Sequence, residues 1–171
     1  MNLFTYSLIN LLTLKGIFMQ KELEIYFNNQ DEKTKLIHVI GLLWTQISFR
    51  LDEVLAKYSL NISKFNILMI IKHVGGYDGI QQNEISKRLL VTPSNITKLL
   101  DKLEKEGLIT RTLKQDDRRA KLIRITDFGS KRLDKAWTLY IKTTKKLLDK
   151  IAAVDADYVE KVLVDWLTNI K

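Results

Sequence analysis

A chain of 171 residues, 46% hydrophobic and 28% charged, is long enough to build one globular domain around its own core. It has no cysteine, two histidines, one proline and seven glycines, which excludes disulfides, thiol chemistry, Cys/His metal clusters and a Pro/Gly-rich linker. The formal net charge is +8, and residues 87–132 hold 13 basic against six acidic side chains. That block suits a polyanion, although a solvated lysine-rich face would read the same way.

Residues 1–34 read as an N-terminal extension. Positions 1–18 form a mostly apolar run broken by Lys15. The run lacks the cationic start and cleavage site of a secretory signal and is shorter than the about 20 residues of a membrane span. It is expected to be dispensable or a misassigned start, with a membrane-touching helix as the lesser alternative. A cytoplasmic protein without a membrane partner is expected.

From Leu36, apolar residues at Ile40, Leu43, Ile47, Leu51, Val54 and Tyr58 recur at steps of three and four, the signature of a long amphipathic helix over about 35–58. Ser63 is expected to cap a second helix, with Phe65, Leu68, Met69 and Ile71 inward and Gly75-Gly76 ending it. A short helix spans about Gln82 to Leu89. Thr92-Pro93 then offers a capping hydroxyl followed by proline at the first helical position, opening a helix that ends at Gly107.

Two short apolar runs, Leu108 to Leu113 and Ala120 to Thr126, flank the charged stretch 114–119, which predicts a hairpin with a loop longer than a tight turn. A third long helix follows with Leu133, Trp137, Tyr140, Thr144, Leu147 and Ile151 in step. Asp155 is expected to start the last helix. The fold class is mainly α with a small β-hairpin wing: a winged helix-turn-helix over about 63–126, within a domain over 35–171, with long helices over about 35–58 and 127–171.

Helix, turn, helix and charged hairpin is the order in which the second helix enters a major groove and the hairpin reaches over the backbone. On the helix opened by Pro93, Ile96, Leu99, Leu100 and Leu103 share one arc, while Ser94, Lys98, Asp101 and Lys105 lie opposite. Ser94, Asn95, Thr97 and Lys98 occupy the first two turns, where base edges are reached, and Asn and Lys can pair with adenine and guanine. A well-capped surface helix is the bland alternative.

Leu89 to Ser94, Ile96 to Leu99, Asp101 to Ile109, Asp117-Arg118-Arg119 and Ile125 to Gly129 together resemble the MarR family of bacterial transcriptional regulators. The family's wing pattern, Asp-x-Arg, five residues and Leu-Thr, is met by Asp117, Arg119, Ile125 and Thr126, with isoleucine in place of leucine. The resemblance implies a homodimer in which the first and last two helices intertwine. The periodicity alone is equally compatible with helices packed within a monomer. It also implies a pseudo-palindromic double-stranded DNA operator contacted through Thr92, Pro93, Ser94, Asn95, Thr97, Lys98, Lys102, Asp117, Arg118 and Arg119. A guanidinium at the wing tip suits the negative potential of a narrow minor groove.

No phosphate-cradling glycine loop, metalloprotease helix or nucleophile elbow is visible, so an enzyme is not expected, and no cofactor or metal. By elimination a small molecule is the expected effector. The family places effectors between the dimerisation helices and the winged domain, and an aromatic or phenolic acid there would meet Trp44, Arg50, Tyr58 and His73. The expected function is a repressor released by such a molecule. The alternative is a DNA-binding architectural or partner-binding module that responds to no ligand.

Overall fold

The computed structural model describes residues 31–89, 92–114, 117–149 and 151–170. Positions 1–18 lie outside them. The chain divides into two units after Gln46. The described part of the first is the opening of helix α1 (Glu32–Leu55). Asp31 starts it, its carboxylate accepting from the Lys33 and Thr34 amides at 3.0 and 3.2 Å and from the Thr34 hydroxyl at 2.6 Å. These bonds, the hydroxyl's first, hold the Asp31 carboxyl below the usual carboxylate range. Leu36, Ile37, Val39, Leu42, Leu43 and Trp44 along this stretch are all exposed.

In the second unit, α1 ends on buried Leu51 and Leu55 and passes through a 3-10 turn (Ala56–Tyr58) into α2 (Ile62–Ile70). Asp52 accepts from the Ile62 amide at 2.6 Å, tying the two helix ends together. The cap of α2 is Asn61 and not Ser63. Asn61 has extended backbone and its side chain accepts from the Lys64 amide at 2.9 Å, whereas Ser63 already lies in the first turn. A π-helical segment (Ile71–Gly75) continues α2, and Gly76 leaves it at φ +50°, a left-handed conformation that favours glycine.

Strand β1 (Ile80–Gln81), α3 (Gln82–Leu89), α4 (Pro93–Lys105), β2 (Ile109–Lys114) and β3 (Asp117–Ile125) follow. The sheet order is β1-β3-β2, all antiparallel, with Ile80 opposite Ile123 and Ile109 opposite Ile125. The hairpin is tighter than expected. Lys114 pairs with Asp117 beyond a register irregularity at Leu113/Lys114, so residues 117–119, read as loop, belong to β3. Strand β1 has no counterpart in the sequence reading either, because two residues carry no measurable alternation.

Helix α5 (Asp127–Leu148) is capped by Thr126, whose hydroxyl accepts from the Gly129 amide at 2.9 Å and donates to the Gly107 carbonyl at 2.8 Å. Helix α6 (Ala153–Asn169) begins two residues before Asp155 and buries none of its side chains. The core joins Leu55, Phe65, Leu68, Ile71, Ile85, Ile96, Leu100, Leu103, Leu108, Ile123 and Leu133. Full burial of each large aliphatic group among them contributes about 1.5–3 kcal/mol relative to exposure. Among the described residues no single helix is long and apolar enough to cross a membrane.

Candidate nucleic-acid interface

The sequence pattern of α4 is amphipathic, and the fold uses it as such. Ile96, Leu100 and Leu103 are fully buried and Leu99 packs against the same core, which fixes the helix about its axis. Ser94, Asn95, Thr97, Lys98 and Lys102 are therefore exposed together. Among the described residues Lys98 and Lys102 have no ion-pair partner. Gln82, opening α3, donates from Nε2 to the Thr97 hydroxyl at 2.7 Å, which sets α4 against the preceding helix. Pro93 sits at the first helical position. Thr92 occupies the cap position, but its hydroxyl makes no capping bond and lies 3.3 Å from that of Ser94.

Two cations, Arg111 and Lys64, brace the other sides of α4 through ion pairs. The Arg111 guanidinium on β2, largely buried, lies 2.6 Å from Asp101 and 3.6 Å from Glu104. Its buried Nε and Nη2 have no acceptor along their N–H directions, so the attraction is one of charge rather than of aligned hydrogen bonds. At the helix's C-terminal cap, Glu106 takes the nearly buried Lys64 ammonium at 2.7 and 2.8 Å. That cation offsets a carboxylate placed against the negative end of the helix dipole. On α3, Arg88 and then Lys87 bond the Glu84 carboxyl and hold it below its ordinary range.

Asp117, Arg118 and Arg119 take their places on the β3 backbone, while their side chains lie outside the described residues. Of the effector candidates, Trp44 is exposed on the first unit's helix, and Arg50 is exposed and paired with Glu53 at 3.2 Å. Tyr58 lines a cavity against the start of α5. His73 lines a different one, of about 440 Å³, with Met69, Leu133, Asp134 and Trp137. Trp137, on the apolar face of the third long helix, is 41% exposed and stacks with Phe65 and Tyr140 at centroid distances of 6.1 and 5.6 Å. An indole at helical spacing gives no signal that separates core from cavity wall. Among the described residues no group of His, Cys, Asp and Glu could hold a metal ion.

A three-stranded sheet folded against α3 and α4, with a long-armed hairpin beside them, defines a winged helix-turn-helix protein. Residues 60–121 match the family model described as the MarR family. PecS of Dickeya dadantii, an HTH-type transcriptional regulator, is 26% identical over 113 residues, 66% of this chain and 68% of PecS. Two further curated relatives are spanned over less than two thirds of their length, 62% and 57%. Among solved structures, a mutant of Escherichia coli MarR complexed with operator DNA aligns with a TM-score of 0.73 at 22% identity, covering 81% of this chain and 99% of that one. CouR from Rhodococcus jostii bound to p-coumaroyl-CoA aligns at 0.67 and 23%, covering 82% and 95%.

Proposed function

We propose that this chain is a sequence-specific double-stranded DNA-binding regulator. It acts as a homodimer on a pseudo-palindromic operator, in the cytoplasm, through a winged domain over about 63–126. One observation carries the reading: α4 is locked by its buried face so that Ser94, Asn95, Thr97 and Lys98 are presented together at its N-terminal end. The MarR mutant solved with operator DNA has the same fold. Asp117, Arg118 and Arg119 are proposed for the adjoining groove and Thr92, Pro93 and Lys102 for the backbone. Selecting bound duplexes from a random pool tests the reading. Half-sites about 10 base pairs apart are expected, and recovery of no common sequence overturns it.

The same reading makes the protein a repressor released by a small aromatic or phenolic molecule. The cavity beside His73 and Trp137 supports this, being mostly apolar with a few polar groups, as does CouR's complex with p-coumaroyl-CoA. Operator affinity measured against a panel of phenolic acids tests it. Affinity unmoved by every member would favour a ligand-independent DNA-binding module.

A further inference from the structure

The structure carries a second, strongly cationic cavity, separate from the one beside His73 and with the effector candidate Tyr58 on its wall. Its volume is about 380 Å³. The turn after α1 forms one wall with Lys57 and Tyr58, and the first turns of α5 form the other with Phe128, Lys131, Arg132 and Lys135. Tyr58 and Lys135 also bound a neighbouring hollow of about 300 Å³ that extends to Lys142. Positive charge thus follows one side of α5 at helical spacing.

Among the described residues no carboxylate lines the cavity. Among the same residues none of its four cations has an ion-pair partner, since the neighbouring acid Asp134 is taken by Lys72 at 2.5 Å. The Arg132 guanidinium lies over the Phe128 ring at 4.5 Å, so a cation rests on a flat apolar surface. Like charges gathered in a concavity raise one another's energy, and a bound counter-anion relieves it.

We propose that this cavity binds a small organic anion carrying at least two negative charges on a flat apolar body, the chemistry of an aromatic phosphate. Four cations call for more than a single carboxylate, and the Phe128 and Tyr58 rings supply a surface that a bare inorganic ion would leave uncovered. The operator duplex does not suit the site. Lys64, paired to Glu106, reaches the Ser59 carbonyl at 3.4 Å beside one wall. Thr126, the cap of α5, bonds Gly107 beside the other. Both walls are therefore anchored at the C-terminal end of α4, about 18 Å along the helix from Ser94.

The test is calorimetric titration of the full-length protein with 1-naphthyl phosphate, with benzoate and pyrophosphate as separate arms, on the native chain and the exposed double variant Lys131→Gln/Lys135→Gln. One naphthyl phosphate per chain is expected, bound more tightly than benzoate, with affinity lowered at least about tenfold in the double variant. Phe128→Ala is expected to weaken naphthyl phosphate more than pyrophosphate. Absence of binding at millimolar probe, several probes per chain, equal binding by the double variant, or benzoate binding equally well would each overturn the proposal. So would a double variant that loses affinity for a scrambled duplex with a salt slope shallower by about two, which would make the stripe a DNA-backbone contact. Operator binding is measured separately, so failure of the anion site leaves the DNA reading standing.

Discussion

Arg111 and Asp101 approach within 2.6 Å across the gap between β2 and α4, so the hairpin and this helix share a charge pair. Arg111→Met keeps the buried stem and removes the charge. Because Asp101 is half exposed, the expected loss of stability is modest, about 1 kcal/mol. The loss of operator affinity should exceed that expected for removing one distant cation, since two contact surfaces lose their mutual reference. Urea unfolding and duplex titration check both; operator affinity reduced no more than by neutralising an exposed lysine of α6 would show that the pair does not position the wing.

The Lys64–Glu106 pair is more enclosed. Lys64→Met leaves Glu106 without its cation at the end of α4, and the expected cost is about 1–3 kcal/mol. A double variant, Lys64→Met with Glu106→Leu, should recover most of that loss because no unpaired charge remains. If the double variant is as unstable as the single one, packing of the lysine stem rather than the charge pair carries the stability.

Gly129 leaves no room for a side chain. A Cβ there would collide with the Leu108 carbonyl oxygen, and this is backbone that also accepts the Thr126 amide at 3.0 Å. Gly129→Ala should cost at least about 3 kcal/mol in thermal or urea unfolding. Gly41, with open space around its Cβ position, is the control: alanine there should stabilise α1 by about 0.5–1 kcal/mol.

The elements that position α4 were legible because their signals are local and redundant. Ile96, Leu100 and Leu103 recur at helical spacing, and Pro93 and Gly107 mark the two ends. What was hidden depends on partners distant in sequence. Ile80 becomes a strand only because Ile123 lies opposite it. Asn61 displaces Ser63 as cap through a small difference in where the backbone turns helical. The charged stretch 114–119 looks like a loop because charge dominates its composition, yet β3 starts within it. The site residues that pair across elements, Arg111 with Asp101 and Lys64 with Glu106, leave no periodic trace.

Exposed apolar residues on α6 motivate a prediction about association. Val159, Val162, Leu163 and Leu167 are all at least 37% exposed. A surface of this kind is stable when a second copy covers it. Light scattering at micromolar concentration should give twice the chain mass, and Leu163→Glu should halve it. A native chain of single mass at that concentration would remove the homodimer from the proposed function.

Wing and helix should separate in their effects on DNA. Arg119→Ala is expected to weaken operator and scrambled duplexes alike, with a salt slope shallower by about one. Asn95→Ala or Lys98→Ala should chiefly reduce discrimination, by about 1–3 kcal/mol at one or two base pairs. Affinities at several salt concentrations decide the matter; the reverse pattern would exchange the proposed roles.

The segment between the π-helical turn and β1 has the look of an ordinary surface connector, with Tyr77 fully exposed. Arg124 makes it something else. From β3 its guanidinium donates to the Tyr77 carbonyl at 2.9 Å, the Asp78 carbonyl at 2.7 Å and the Thr112 hydroxyl at 2.6 Å. The connector is thereby measured against the sheet residue by residue. Surface loops ordinarily accept extra residues at little cost; one inserted here would displace both carbonyls from a side chain that cannot follow, so this loop is a poor place for a tag or a natural length change.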